Sequence, residues 1–286
     1  MAVLGVFIKE GDKRVLDYAG DLIRDLAIRK HTILVLKDQA GLLKGVPASP
    51  RIISSFKKAS FLLAVGGDGT MLRSARLFSS LDLPILGINL GRRGFLTEVG
   101  IEEVLEVLPK IIAGGYFLDR RMMLDVKVKR EKKTISSSLA LNDAVIGKNG
   151  IARLIRLEAW HNGNLVTTYG SDGLIVSTPT GSTGHNLSAG GPILDSSLKS
   201  LILTAICSTS ISNRSIVIDS KGALKIKVVS VPKGMDGTLT LDGQTVIKLG
   251  TGDEVLITRA DSMTKFVRLK HRNFFSVLKG KLGWEG

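Results

Sequence analysis

The chain has 286 residues, 44% of them hydrophobic and 5% aromatic, and its 40 Lys and Arg against 26 Asp and Glu give a formal charge of +14. That apolar content supports packed cores and excludes a disordered chain, and the length accommodates two domains. A single cysteine, Cys207, excludes an intrachain disulfide framework and a cysteine-only metal cluster, which points to a reducing compartment, the cytoplasm.

At the amino terminus VLGVFI (3–8) reads as a short strand. It is too short for a signal peptide and has no basic residue ahead of it, and no later run approaches membrane-spanning length, so membrane insertion is not expected. DKRVLDYAGDLIRDLAIRK (12–30) sets Val15, Ala19, Leu22, Ile23 and Leu26 on one helical face. TILVL (32–36), FLLAV (61–65) and LPILGI (83–88) are further strands. Continuous apolar strands separated by helices imply a parallel sheet covered on both faces, an α/β domain.

FLLAV runs directly into Gly66, Gly67, Asp68, Gly69 and Thr70, ahead of a helix carrying Leu72, Arg73 and Arg76. A strand, turn and helix in this order present main-chain N–H groups and the positive end of a helix dipole, which suits phosphate. A carboxylate placed there repels such a ligand unless it holds Mg²⁺, orients a hydroxyl or takes its proton, so Asp68 is the leading catalytic candidate. The plainer alternative is a tight turn that needs glycine, with Asp68 as a helix cap. The turn is neither a Walker loop nor a Rossmann fingerprint.

From about residue 118 the texture changes. LDVKVK, RLIRLEAW, NLVTTY, GLIVST, ALKIKVV, TLTLDG and DEVLITRA are short runs rich in β-branched residues, and HNGN (161–164) carries a tight-hairpin signal. The reading is an α/β domain over 1–99, completed by 268–286, and a mainly β domain over 100–267. Basic residues gather in 119–133 and after Asp261, at Lys265, Arg268, Lys270, Arg272, Lys279 and Lys281. Val126 and Val128 alternating with Lys127 and Lys129 fit a half-solvated strand, the other reading being steering of phosphorylated ligands. With few aromatic stacking platforms, nucleic acid is not an expected partner.

STPTGSTGHNLSAGGPI (177–193) crowds hydroxyls and glycines between an apolar run and a proline. Ordering such backbone costs much conformational entropy with few large apolar side chains to offset it, so the stretch is either a loose connector or a ligand-binding loop. Ser182 with His185 lacks the nucleophile elbow, because position 180 is Thr. None of His31, His161 and His271 stands at metal-ligand spacing to His185.

GGDGT (66–70), GINLGRRGFLTE (87–98), LND (141–143), YGSDGLIVSTPTGSTGHNLSAGGPI (169–193), SNRSIV (212–217) and LDGQ (241–244) resemble, in this order, the motif series of the NAD kinase family. GGDGT alone is shared with diacylglycerol kinase, sphingosine kinase and phosphofructokinase relatives, whereas DGLIVSTPTGST followed by SAGGPI is specific. The resemblance implies transfer of a phosphoryl group from ATP or polyphosphate, with Mg²⁺, to the adenosine 2′-hydroxyl of NAD, giving NADP. It implies that Asp68 approaches the acceptor ribose, and the strand–turn–helix reading sets Gly66, Gly67, Gly69, Thr70 and Arg73 toward the donor phosphates. Phe95, Asn142 and Asp143 then contact the dinucleotide, and Asp172 approaches its nicotinamide end. Thr180, Ser182 and Thr183 offer hydroxyls to an adenine edge while Gly181 and Gly184 let the backbone approach; His185, Ser188 and Gln244 complete the set. The family places this site between subunits, which implies a homodimer or homotetramer. No carboxylate cluster marks a protein-only metal site, in keeping with Mg²⁺ held by donor phosphates and water.

The chain departs from the family pattern in places. Gly184-His185 replaces the usual Ala-Tyr, and imidazole can still stack and hydrogen-bond. Asp143 replaces the commoner Glu, Ser215 a proline, and Thr209 a frequent histidine. At Gly170 the chain is similar to members that also accept NADH, where NAD-restricted ones carry arginine or another polar residue. The rival readings are a lipid kinase of the same superfamily and a non-catalytic dinucleotide sensor.

Overall fold

In chain order the elements are β1 (Val3–Ile8), α1 (Lys13–Ile28), β2 (Thr32–Leu36), β3 (Arg51–Ile53), β4 (Phe61–Val65), α2 (Asp68–Phe78), β5 (Pro84–Asn89), β6 (Val99–Gly100), α3 (Val104–Ile112), β7 (Phe117–Arg130), β8 (Lys133–Ala140), β9 (Asp143–Lys148), β10 (Ile155–His161), β11 (Asn164–Ser171), β12 (Gly173–Ser177), α4 (His185–Ser188), β13 (Ser200–Ile206), β14 (Ile216–Asp219), β15 (Ala223–Ser230), β16 (Gly237–Leu241), β17 (Thr245–Leu249), β18 (Glu254–Arg268) and α5 (Phe274–Leu282). The structure, a computed structural model, describes residues 1–43, 50–91, 94–150, 153–210, 213–232, 234–271 and 274–283. Arg92, Arg93, Ser212 and Arg272, which belong to the passages above, lie outside the described residues. The chain divides into two compact units, Met1–Arg120 with Met263–Gly286, and Arg121–Ser262.

In the first unit β3, β2, β1, β4 and β5 lie side by side and parallel. The end of β18 adds another parallel strand, with Lys265 opposite Pro84 and Phe266 opposite Ile85. α1 buries Val15, Ala19, Leu22, Ile23 and Leu26, the face its periodicity predicts. β4 is buried along its whole length, as a parallel strand covered on both faces must be. α3 sends Val104, Leu108 and Ile111 into the same core, at about 1.5–3 kcal/mol for each fully buried large apolar side chain. That packing carries the first unit on to Arg120 instead of ending it near residue 99. The strand texture changes near residue 118, close to this division, whereas a boundary at 99 cuts α3 away from the core it joins.

In the second unit β14, β13, β12, β9, β16 and β17 form one antiparallel sheet. β11, β10, β15 and the first part of β18 form a second antiparallel row, and β7 pairs with β8. Leu124, Val126, Val128, Leu157, Leu174, Val176, Leu239, Leu241 and Ile257 meet in one core, so β7 is the half-buried strand that its alternation predicts. The β10–β11 hairpin turns through Asn162 and Gly163, both left-handed at φ 51° and 83°, as a two-residue type I′ turn requires. Between β16 and β17 the chain turns through Asp242 and Gly243, also left-handed, and this second turn shapes the candidate site.

Candidate functional site

In the first unit, β4 delivers the chain into the glycine turn. A side chain at Gly66 would run into Thr70, so glycine here lets the strand close on the first turn of α2. The Gly66 N–H donates to the Ile88 carbonyl at 2.9 Å, and the Gly67 carbonyl accepts from the N–H groups of Thr70 and Met71 at 3.0 and 3.2 Å. Gly67 is the cap residue of α2 and has open space around its Cα, and Gly69 is exposed.

Asp68 therefore does not act as the helix cap. Its carboxylate reaches a segment 27 to 29 residues away, where Oδ2 accepts the Phe95 N–H at 2.7 Å and Oδ1 accepts those of Leu96 and Thr97 at 3.1 and 3.3 Å. Gly94 permits the approach, because a Cβ there would collide with the Asp68 carboxylate. An ionised carboxylate has roughly four acceptor positions, so three main-chain donors leave one, on Oδ2. Phe95 is half-buried. Arg73 donates to Glu10 at 2.9 Å and lies over the Phe7 ring at 5.5 Å, so its guanidinium already has protein partners.

In the second unit, the LND segment, the 177–193 loop and the Asp242 turn come together. The Asp242 carboxylate accepts the N–H groups of Leu141, Asn142 and Asp143 at 2.9, 2.7 and 3.2 Å, and the Asp242 N–H returns a bond to the Asp143 carbonyl at 3.1 Å. The Asn142 carbonyl accepts from the Thr178 N–H at 2.8 Å and the Ser177 hydroxyl at 3.2 Å. A Cβ on Gly181 would overlap that same carbonyl, so glycine is needed for the loop to lie against Asn142. At Gly184 a Cβ would stand 3.3 Å from the Gly181 carbonyl and 3.8 Å from the Asn142 amide nitrogen, a tight but possible fit.

The loop's hydroxyls have different surroundings. Ser182 is fully buried; it donates to the Pro179 carbonyl at 2.7 Å and accepts from the Leu194 N–H at 3.1 Å. The reading that it offers its hydroxyl to an adenine edge meets a hydroxyl already engaged inside the loop. The Thr180 hydroxyl accepts from Arg121 at 3.3 Å, and Thr183 is half-buried, 3.5 Å from the Thr180 carbonyl. His185 and Ser188 stand exposed at the two ends of α4. Gln244 is exposed, and its N–H closes the Asp242 turn on the Leu241 carbonyl at 2.9 Å.

Asp143 is only 5% exposed, and its carboxyl makes no hydrogen bond among the described residues. Burial first, and then the charge of Asp242, push it up to about 7. Asp172 pairs with Lys148 at 2.6 Å, with side chains 36% and 15% exposed. The Gly170 carbonyl accepts from both the N–H and the hydroxyl of Thr209 at 3.1 Å, and a Cβ on Gly170 would meet only that hydroxyl, at an ordinary 3.5 Å.

Sequence reasoning missed several organising residues. Asp242 lay inside the quoted LDGQ passage, and its Asp-Gly turn signal was available. Charge patterning places Arg121 and Arg268 in the basic runs, a solvated face or a steering field; Arg121 instead binds the loop and Arg268 is 2% exposed. Asn186, fully buried, donates to the carbonyls of Ser182 and Pro192 at 3.1 and 3.0 Å and accepts from Thr204 at 2.7 Å, bracing the loop from within. Among the described residues no group of three or more His, Cys, Asp or Glu is arranged to hold a metal, and no helix is long and apolar enough to cross a membrane.

Comparison with known proteins matches the ATP-NAD kinase N-terminal domain family to residues 51–116 and the ATP-NAD kinase C-terminal domain family to residues 141–269. The NAD kinase of Trichlorobacter lovleyi is 40% identical over 287 residues, and that of Geobacter sulfurreducens 41% over 288, each alignment covering 99% of both chains. Two solved structures share the fold. Yeast NADH kinase complexed with NADH gives a TM-score of 0.85 at 23% identity, covering 100% of this chain and 89% of that one. An Archaeoglobus fulgidus NAD kinase in complex with ATP gives 0.73 at 24%, covering 100% of both.

Proposed function

The chain belongs to the NAD kinase family, and from that premise we propose that Asp68 receives the adenosine 2′-hydroxyl of NAD as its fourth hydrogen-bond donor while the 66–70 turn holds the donor phosphates. The protein is an NAD kinase, a phosphotransferase with an alcohol acceptor. Phosphoryl transfer asks a protein for in-line placement and charge stabilisation more than for covalent chemistry. As the 2′-oxygen bonds to the donor's terminal phosphorus and the bond to the leaving phosphate breaks, the hydroxyl proton passes to Asp68. The observation that carries this assignment is the cradle of three main-chain N–H groups, which fixes the carboxylate and leaves one acceptor position on Oδ2.

Magnesium, when bound, neutralises charge on the donor phosphates. It would be held by those phosphates and by water, leaving the open Oδ2 position of Asp68 to the 2′-hydroxyl. On the dinucleotide side Asn142, Asp143, Thr180, Thr183, His185 and Ser188 are the contacts supported by position, and Ser182 contributes by shaping the loop. Gly170, which leaves space beside Thr209, supports acceptance of NADH as well as NAD. ATP or polyphosphate is the donor, the working assembly is a homodimer or homotetramer, and the compartment is the cytoplasm.

The test is NADP formation from NAD, Mg²⁺ and ATP, read by an NADP-specific dehydrogenase, with polyphosphate and NADH as parallel substrates. Asp68→Asn is expected to lower turnover by about a hundredfold or more, the lower end of general-base contributions. Near-normal turnover in a folded mutant removes Asp68 from the mechanism. NAD binding with no turnover for any donor returns the dinucleotide sensor.

A further inference from the structure

We propose that Arg268 is a positioning residue for Asp68, acting through the peptide that joins Leu96 to Thr97; the proposal rests on the assignment of Asp68 made above. Arg268 ends β18 and is the bulkiest fully buried side chain among the described residues, 2% exposed. A buried guanidinium is costly unless its charge and its donors are met. Nη1 donates to the Leu96 carbonyl at 2.8 Å and to Glu98 at 3.2 Å, and Nε donates to Asp119 at 3.1 Å. The other Glu98 oxygen accepts the Leu269 N–H at 3.0 Å, so the carboxylate bolts the same C-terminal segment to the loop a second time.

The geometry matters because of which carbonyl Arg268 holds. A trans peptide is planar, and its C=O and N–H point in opposite directions. The Leu96 carbonyl and the Thr97 N–H belong to one such unit, with Arg268 at one end and Asp68 Oδ1 at the other. Fixing the carbonyl fixes the plane and so aims the N–H. A charge-assisted bond to the carbonyl also polarises the peptide and makes its N–H a stronger donor. The neighbouring Glu98 N–H donates to the Gly87 carbonyl at 3.0 Å, which anchors the loop to β5 on its far side. Arg268 thus reaches the candidate base without touching it, from 172 residues beyond Leu96 in sequence.

Arg268→Lys keeps the charge and loses the planar fork. If the peptide is the route, kcat falls at least about tenfold with KM for NAD and ATP changed by less than about twofold, the pattern of a lost transition-state interaction. The Thr97 amide proton shifts upfield as its bond to Asp68 weakens. In an Asp68→Asn background, whose residual turnover remains measurable, Arg268→Lys costs less than about twofold more, because residues acting as one unit are non-additive. All rates are taken well below each variant's Tm, and Glu98→Gln, which loosens the same guanidinium, repeats the cycle if Arg268→Lys does not fold. Unchanged kcat, or the same fold-loss in both backgrounds, overturns the proposal and leaves Arg268 a purely structural ion. Full turnover in Asp68→Asn alone overturns the assignment of Asp68, and this inference with it.

Discussion

Replacing Asp143 by Asn should stabilise the protein at high pH and not at low pH. The carboxyl is buried, without a hydrogen bond among the described residues, next to an Asp242 carboxylate that three main-chain N–H groups hold in place. Its titration is pushed up from 3.8 to about 7, mainly by burial and then by Asp242. The folded chain therefore keeps a proton between about pH 4 and 7 that the unfolded chain has released. The stability tied to that proton is fully present below about pH 4 and is lost as pH rises through about 7. A shift of roughly three units sets a ceiling of about 4 kcal/mol on the penalty at pH 8. Asn has the same shape and no charge, so it escapes the penalty. At about 2–4 °C per kcal/mol, the gain in Tm at pH 8 is several degrees and at most roughly 15 °C, shrinking to about zero at pH 4. Calorimetric scans from pH 4 to 9 on both proteins read the difference, and parallel Tm curves would refute the reasoning. Asp242→Asn should pull the Asp143 titration down only in part, since burial is the larger cause. The same residue should matter to ligand: an N–H or hydroxyl donating to Asp143 draws its proton off, so NAD titration near pH 6.5 in buffers of different ionisation enthalpy should report proton release, and Asp143→Asn should abolish it.

Two further substitutions test the second unit. Gly181→Ala places a methyl on the Asn142 carbonyl and 2.6 Å from the Ser177 hydroxyl, so the loop must shift; kcat/KM for NAD should fall by about a hundredfold, against less than about threefold for Gly184→Ala, whose methyl stands 3.3 Å from its nearest neighbour. Equal effects at the two positions would mean that the loop is not held against Asn142 during turnover. Gly170→Arg should be tolerated by the fold, because only the Thr209 hydroxyl lies within reach of its Cβ, and should lower turnover of NADH at least about tenfold relative to NAD. An unchanged NADH-to-NAD ratio would separate Gly170 from the choice of substrate.

What could be read from sequence was what periodicity and local turn chemistry encode. The buried parallel strands, the apolar face of α1, the Asn162-Gly163 hairpin and the glycine turn ahead of α2 all have their causes within a few residues. The residues that organise the site do not. Asp68 meets its donors 27 to 29 residues away, Asp242 meets the LND segment about 100 residues away, and Arg268 meets Leu96 across 172. Charge patterning misreads Arg268 for the same reason, since a run of Lys and Arg looks alike whether its members face water or, as Arg268 does, the carboxylates of Glu98 and Asp119.

The 177–193 loop shows the difference most directly. Its glycine and hydroxyl content leaves a loose connector and a ligand-ordered loop as the two economical readings, the second needing ligand contacts to offset the entropy of ordering. The structure supplies a third source of order. The Thr178 hydroxyl binds the Leu141 carbonyl at 2.6 Å and caps the Gly181 N–H at 3.1 Å, Ser182 ties Pro179 to Leu194, and Asn186 ties Ser182, Pro192 and Thr204 together, all three side chains being fully buried. Polar side chains thus do inside this loop what apolar ones do in a core, and each net hydrogen bond contributes about 0.5–1.5 kcal/mol toward holding the backbone. A loop ordered in this way loses less conformational freedom when a dinucleotide arrives, so more of the contact energy appears as affinity. The three hydroxyls that the amino-acid pattern marks for ligand are therefore of two kinds: Ser182, with Thr178 beside it, builds the surface, and Thr180 and Thr183 are the ones left near it.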